Sequence, residues 1–561
     1  MSANKKNHRG AASPWSLFVL FFVIISVTLV ARHCYPETKV LQQSQHQYWR
    51  KVPLKSTRGI IQDTKGNALV ISETKPTFAV DPSRITSEDI DALAQILSPD
   101  ITAKIYASLN TKSKFLWIAR KPSETEAKKL SDLKANSKAI IQINEPYRKY
   151  TNNGLMSHVL GFCDTDNKGQ AGIEQAWDST LYNPPGQKIV VRRSGSQAAS
   201  LMDNTPERKT VTPVVTLTLD TRIQYVMEKH LYKTAEDNGA KWAVALCMNP
   251  MTGEILGMAS YPTYDPQDRK NLNLDALVNA AVGRGYEPGS TFKPIYMAIA
   301  LDRGIVQKDE MFFCPARLKV ADGYIRESDA RVALGNVETA DLLVKSSNVG
   351  MAQIGVRADR MKTYESLLAL GFGRETDVEL PGVSRGLLPY PDNWRGITPA
   401  NIAIGQGLAV TPLQLVTAMS AVVNGGRLMS PYLVKRAVNS LGEEVYRGEP
   451  KVLREVMTPE TTEWIREAMR RVITEGTGRR AATTLTDVAG KTGTAQVAGK
   501  GGYAPGKYVG SFIGFWPYED PKYIMLIAIG EPTSGRYYGG DIAAPVFKSI
   551  LEEMSELEYF S

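Results

Sequence analysis

The sequence predicts an α+β, multidomain chain: an N-terminal membrane-spanning helix, an elongated mixed pedestal domain, and a C-terminal domain with an antiparallel sheet flanked by helices. Three observations predict it. An apolar run near the N-terminus is long enough to reach across a bilayer. A polar segment with short strands and acid-started helices follows it. After about residue 220, apolar strands come first, helices occupy the middle and apolar strands return at the end, which suggests one sheet closed by both ends of its domain. The expected divisions are a cytoplasmic tail at 1–14, an anchor at 15–33, a pedestal at 34–220 and a further domain at 221–561.

The anchor is the run Trp15 to Ala31, apolar or small throughout. Lys5, Lys6 and Arg9 precede it and the first acidic residue is Glu37, so the positive-inside rule keeps the N-terminus in the cytoplasm and sends the remainder across. A cleaved signal peptide fits less well: the run exceeds a usual signal core, and Leu29–Cys34 makes a poor cleavage or lipidation site. A polar, Gln-rich stem follows from about residue 34. Arg58–Asp63 and Ala68–Ile71 read as two strands around a turn that Asp63 and Gly66 supply. Residues 86–97 and 123–135 read as helices, and Gly169–Glu174 opens another that runs through Tyr182, with Glu174 structural. Residues 194–213 form a polar loop before a strand at Val214–Leu219. Asp220 caps a helix over Thr221–Asn238. Trp242–Met248 and Glu254–Ser260 make a hairpin around Asn249–Gly253. The chain closes with strands near Tyr508–Phe515 and Tyr523–Ile529 and a helix from about Ala543 to Met554.

Bulk properties exclude several classes. Hydrophobic residues make up 43% and charged residues 22%, ordinary for a globular protein. The net charge of +9 is spread over 561 residues without a basic stripe or interleaved aromatics, so no nucleic-acid partner is expected. Cys34, Cys163, Cys247 and Cys314 are far apart and form no CxxC pair; Cys247 sits in an apolar strand and reads as core. Whether any two pair stays open. The five histidines are His8, His33, His46, His158 and His230. The C-terminal domain after His230 therefore holds neither a Ser-His-Asp triad of its own nor a His-rich metal site, and no metal or organic cofactor is implied.

A serine enzyme without histidine needs another base, and lysine is the common substitute. Ser290-Thr291-Phe292-Lys293 opens an apolar helix that runs to Leu301, which puts Ser290 at the positive end of the helix dipole and Lys293 on the same face. Alone this signal is weak. Ordinary Ser and Lys usage gives roughly two such matches by chance in a chain this long, and Ser131-Asp132-Leu133-Lys134 is one. The companions decide. Ser346-Ser347-Asn348 follows in a helix-like region, and Lys491-Thr492-Gly493-Thr494 begins a strand far downstream. A Ser-x-Asn at Ser108–Asn110 recurs without companions.

Those three motifs, in that order within one domain, make the chain resemble the penicillin-binding proteins and serine β-lactamases. The resemblance extends over nearly the whole length to the class B, monofunctional transpeptidases. Arg58–Asp63 and Gly169-x-x-Gly172-Ile173-Glu174 match motifs of that family's non-catalytic pedestal. Gly405-Gln406-Gly407 with Val410–Gln414, and Tyr538-Gly539-Gly540 with Ala543–Phe547, match its catalytic domain. Thr64-Lys65 departs from the Arg-Asn common at that turn. The resemblance implies a β-lactamase-like sheet domain and cross-linking of wall stem peptides through a serine acyl-enzyme, with β-lactams as inhibitors.

It also implies roles. Ser290 attacks the carbonyl of the penultimate D-alanine; Lys293 takes its proton, kept neutral by desolvation and by Lys491 as a nearby cation. Ser346 relays the proton to the leaving nitrogen, and Asn348 holds the peptide amide and Lys293. Lys491, Thr492 and Thr494 bind the terminal carboxylate, and the N–H groups of Ser290 and Thr494 form the oxyanion hole. Gly493 leaves room for substrate at the strand edge. Gly405–Gly407 reads as a tight turn, Tyr538 as rim or core, and Gly499–Gly506 as a flexible loop or a lid.

Rival readings are a β-lactamase or D,D-carboxypeptidase, which has no use for an anchor and pedestal, and a β-lactam sensor, which needs more cytoplasmic chain than about 14 residues. Val509–Phe515 and Gly530-Glu531-Pro532 resemble the division-specific, FtsI-like group more than the elongation-specific group, whose His-Ala-Trp-Phe type segment is missing. The implied partners are the D-Ala-D-Ala donor and acceptor stems, an FtsW-like polytopic membrane glycosyltransferase and other divisome proteins.

Overall fold

The computed structural model describes residues 14–34, 49–53, 57–182, 187–192, 198–199, 211–268, 273–329, 331–499 and 502–557. The chain divides into two compact units, Met1–Ser56 with Pro184–Lys209, and Thr57–Asn183 with Thr210–Ser561. Most of the Gln-rich stem and of the loop at 194–213 lies outside the described residues.

In the first unit, Pro14–Cys34 is a helix, and Trp49–Pro53 pairs antiparallel with Gln187–Arg192, which also pairs with Ala198–Ala199. The expected anchor is thus met as a helix, but among the described residues no helix is long and apolar enough to cross a membrane.

The second unit holds two sheets. The seven-stranded sheet runs in the order Glu444–Arg447, Val434–Val438, Val214–Leu217, Ile60–Gln62, Ala68–Val80 and Leu116–Ala119, with Ile140–Tyr150 also on Ala68–Val80. Gly66, at φ +89°, makes the turn that sequence assigned to it. Strands from both sides of residue 220 therefore share one sheet. Ser87–Ala94 and Glu124–Asn136 are helices with capping boxes at Thr86 and Ser123, each saturating two otherwise unpaired N–H groups. The helix expected through Tyr182 is broken at Trp177 into Gly172–Ala176 and Asp178–Leu181.

Glu174 is fully buried and takes charge-assisted bonds from the Nε of both Arg58 and Arg148, the latter at 2.6 Å; Arg58 also reaches Asp178 at 2.6 Å. Burial, the largest single influence, would lower Arg58, yet the Glu174 charge together with the hydrogen bonds to Glu174 and Asp178 outweighs it and raises its pKa above the ordinary value. Losing one member of such a buried set typically costs about 3–5 kcal/mol, because the rest is left uncompensated.

The five-stranded antiparallel sheet runs Ile255–Tyr261, Trp242–Met248, Tyr523–Gly530, Gly502–Trp516, Ala489–Gly499. Both chain ends of the domain meet at its centre, where Trp242–Met248 pairs with Tyr523–Gly530. Alternate residues serve opposite faces. Ala243, Ala245, Cys247, Met525 and Ile527 pack with the helices Thr221–Asp237, capped by Asp220, and Ala544–Glu556. Val244, Leu246, Ile524 and Leu526 pack with Lys293–Asp302 and Pro412–Val423 on the other side. A strand covered on both faces reads as an unbroken apolar run, and Trp242–Met248 is buried at every position. Cys163, Cys247 and Cys314 are buried and not disulfide-bonded among the described residues. Of the stretch Gly499–Gly506, read from sequence as a loop or lid, the described residues are strand: Gly499 pairs with Gly502 and Ala498 with Tyr503, so the two strands stay paired to there.

Candidate functional site

Ser290 lies in a 3₁₀ turn, Gly289–Phe292, that leads directly into the helix Lys293–Asp302. In a 3₁₀ turn residues three apart eclipse, which puts the side chains of Ser290 and Lys293 on one face. Gly289 has φ +54°, and its N–H donates to the Gly405 carbonyl at 2.9 Å. The Gly405–Gly407 turn thus buttresses the nucleophile turn from behind, with φ +77° and +74° at its two glycines.

Lys293 is fully buried. Its Nζ donates to the Ser346 carbonyl at 2.7 Å and to Asn348 Oδ1 at 2.8 Å, and lies 3.4 Å from Ser346 Oγ. Lys491, equally buried, donates to Ser346 Oγ at 2.8 Å and to the Thr492 carbonyl at 3.1 Å. The three motifs, some 200 residues apart in sequence, so converge on one hydroxyl.

The helix-like region expected around Ser346 is interrupted there. Thr339–Val344 ends, Ser346 adopts φ +59°, and Asn348–Arg357 begins with Ser347 as its N-cap. A left-handed backbone costs a residue with a side chain about 1–2 kcal/mol. The turn turns Ser346 Oγ and its carbonyl toward the two lysines.

Desolvation pulls Lys293 down to about 7, against the opposing charge of Glu327. Lys491 is lowered as well, first by burial and then by the charge of Lys293. Desolvation, the first cause expected at Lys293, is thus the leading one, and the two buried ammonium groups disfavour each other's charged form.

Along the strand Ala489–Gly499, Thr492 Oγ1 shares a 2.6 Å hydrogen bond with Thr477 Oγ1, and Thr494 Oγ1 accepts from Gly539 N at 3.1 Å. Gly493 meets the protein on one side as well as the cavity on the other. A Cβ there would stand 2.5 Å from Ser511 Oγ, 2.8 Å from Thr291 Cγ2 and 3.2 Å from the Pro288 carbonyl. The direction a side chain would take is filled by the protein itself, so glycine lets the strand seat against the turn that carries Ser290.

Ser290, Ser346, Asn348, Thr492, Gly493 and Thr494 open onto one cavity of about 610 Å³. Its rim carries Tyr508, Tyr537 and Tyr538: the first two rings stack at 4.2 Å and the last two lie 4.6 Å apart. Tyr538 is a rim residue, 47% exposed. Sequence reasoning passed over Tyr508, Tyr537, Thr477 and Glu327; the last accepts hydrogen bonds from Ser347 Oγ and Asn348 N. None stands in a motif or period that marks it. Ser131 lies on the helix Glu124–Asn136 and Ser108 ends the helix Pro99–Ser108, both away from the cavity. Among the described residues no cluster of three or more His, Cys, Asp or Glu could hold a metal ion.

A serine at the cavity, a lysine depressed toward neutrality and a hydroxyl shared by two lysines can perform acyl transfer without a histidine. Comparison with known proteins agrees. The profile of the penicillin-binding protein transpeptidase domain matches residues 243–552, and that of the penicillin-binding protein dimerisation domain matches 53–209. The stage V sporulation protein D of Bacillus subtilis is 32% identical over 550 residues, 96% of this chain and 84% of that protein. The peptidoglycan D,D-transpeptidase FtsI of Escherichia coli is 28% identical over 509 residues, covering 88% and 83%. Penicillin-binding protein 3 of Mycobacterium tuberculosis, solved in complex with aztreonam, superposes with a TM-score of 0.69 at 25% identity, over 91% of this chain and 98% of that one.

Proposed function

Since the chain belongs to the class B penicillin-binding transpeptidase family, we propose that it cross-links peptidoglycan as a serine D,D-transpeptidase with Ser290 as its nucleophile. The observation that carries this is the convergence of Lys293 and Lys491 on Ser346 beside Ser290.

In the first half-reaction Ser290 Oγ bonds to the carbonyl carbon of the penultimate D-alanine and gives its proton to neutral Lys293 Nζ. The carbonyl oxygen becomes an oxyanion held by the N–H groups of Ser290 and Thr494. The amide C–N bond then breaks. The leaving D-alanine nitrogen takes a proton from Ser346 Oγ, which is resupplied by Lys293 through their 3.4 Å contact. In the second half-reaction the amine of a neighbouring stem attacks the ester, its proton returns along the same path, and Ser290 is released. Asn348 orients the substrate amide while accepting from Lys293. Thr494 Oγ1 accepts from Gly539 N and so has its hydrogen free for the terminal carboxylate, alongside Thr492 and Lys491. β-Lactams acylate the same serine.

Residues 34–220 serve as the pedestal and 221–561 as the transpeptidase domain. Pro14–Cys34, about 31 Å long at 1.5 Å per residue, is the single membrane anchor, with its N-terminus in the cytoplasm and the catalytic domain outside. Resemblance to the division group favours septal cross-linking beside a polytopic glycosyltransferase and other divisome proteins. Depletion in the host should then block septation while growth continues; cells that round up yet divide would assign it to elongation. A labelled penicillin followed by mass spectrometry tests the chemistry. One peptide, containing Ser290, should gain the label; Ser290→Ala should abolish it and Ser131→Ala should not. Labelling that survives Ser290→Ala sinks the mechanism.

A further inference from the structure

One buried carboxylate beside the site has no part in the mechanism above. Glu327 follows the strand Gly323–Arg326, which pairs with Arg317–Val320, and its N–H donates to the Ala316 carbonyl at 3.1 Å. The backbone is therefore fixed before the side chain begins. That side chain is only 7% exposed. Oε1 accepts from Ser347 Oγ at 2.5 Å and Oε2 from Asn348 N at 2.8 Å. The Asn348 amide donates to the Arg326 carbonyl at 2.9 Å, so the same short segment grips Asn348 twice.

What it grips is the strained part of the site. Ser346 carries the left-handed φ, and both its oxygens face Lys293. A turn that is unfavourable by itself persists only when its surroundings over-determine it. Burying a carboxylate merely to cap a helix is costly, since Ser347 already caps Gly350 N. Glu327 is also the one charge that opposes burial at Lys293.

We propose that Glu327 is a positioning residue of the transpeptidation reaction: its carboxylate clamps the Ser346–Asn348 turn onto Lys293 and supplies the negative charge that faces the ammonium form of that lysine. This rests on Ser290 and Lys293 acting as proposed above. The other ionisable groups packed around the pair are Lys491, against Ser346; Cys314, whose Sγ lies 3.4 Å from Ser347 Oγ; and Lys345, which pairs with Asp341 at 2.9 Å.

The test measures the rate of β-lactam acylation against pH for the full chain, Glu327→Gln and Glu327→Asp, with thermal melting alongside. Without the charge, Lys293 loses its proton more readily. In Glu327→Gln the acid limb of the profile should move down by about one pH unit, and the plateau rate should fall by roughly tenfold to a hundredfold as the turn loosens. Glu327→Asp keeps the charge and should keep the wild-type midpoint while acylating more slowly. A helix cap alone would slow the reaction without moving the midpoint, so an unshifted Glu327→Gln profile overturns the proposal. If Glu327→Gln fails to melt cooperatively, the same profile is read on Glu327→Ala, which removes the charge without leaving an amide to bury: a lowered midpoint supports the proposal and an unshifted one overturns it. A wild-type chain that takes no label at Ser290 would instead strike down the nucleophile reading, and is distinguished by that result.

Discussion

Replacing Gly493 by alanine separates two reasons for a glycine in the Lys-Thr-Gly motif. If glycine only clears a path for substrate, a methyl group would slow acylation and leave the folded chain as stable as before. The structure argues otherwise. Gly493 is not among the positive-φ residues, so alanine meets no backbone penalty there. Its Cβ would stand 2.5 Å from Ser511 Oγ, 2.8 Å from Thr291 Cγ2 and 3.2 Å from the Pro288 carbonyl, whereas relaxed carbon contacts lie near 3.5–4.0 Å. Something must move by about 1 Å. Overpacking of this kind costs about 1–3 kcal/mol. Besides Ser511 on the neighbouring strand, the atoms that must give belong to Thr291 and Pro288, in and beside the turn that holds Ser290, and a misplacement of that size can cost about a hundredfold in rate. Gly493→Ala should therefore melt at lower temperature and label with penicillin about a hundredfold more slowly. Adding Ser511→Gly removes the nearest clash and should recover part of both losses, since contacting sites do not add independently. A Gly493→Ala variant with an unchanged melting temperature refutes the packing argument.

Two further outcomes follow from the lysine pair and the Ser346 turn. Because Lys293 sits near 7 when folded and near its ordinary value of 10.5 when unfolded, the unfolded chain binds more protons between those limits. Stability should rise with pH across that window and acylation should climb through about pH 7, losing roughly a factor of ten per unit below it; a flat acylation profile from pH 5 to 8 would contradict this. Ser346→Gly relieves the left-handed backbone and Ser346→Ala does not, so the glycine variant should be the more stable by about 1 kcal/mol in urea denaturation, while both lose the hydroxyl and acylate far more slowly.

Much of the catalytic sheet was legible in the sequence because local pattern carries it. Trp242–Met248 is an unbroken apolar run since both faces of that strand are covered, and Asp220 announces its helix by capping Arg222 N. The motif residues were legible as residue types at fixed spacing, which chemistry constrains more tightly than packing does. Other features escaped for definite reasons. Ser346 lies between two helices whose periods nearly join, and only coordinates expose its positive φ. Gly499–Gly506 has the composition of a loop, but pairing of Gln496 with Tyr508, of Ala498 with Tyr503 and of Gly499 with Gly502 holds its described residues as strand. Glu327 sits in a polar stretch with no period, and its importance comes from partners 20 residues on. Val434–Val438 carries no sign that it pairs with Val214–Leu217, because that partner is more than 200 residues away.

That last pairing has a practical edge. The strand Val434–Val438 has Glu444–Arg447 on one side and Val214–Leu217 on the other, and Val214–Leu217 in turn lies parallel to Ile60–Gln62. A chain trimmed to begin at residue 221 would strip away that neighbour and leave a row of unpaired N–H and C=O groups along Val434–Val438. Such an exposed flank is a template for chain-to-chain association. Preparations intended for crystallisation or inhibitor screening should accordingly start before Arg58, keeping the first strand and its buried Glu174 partnership, so that this seam stays closed by its own chain rather than by another copy.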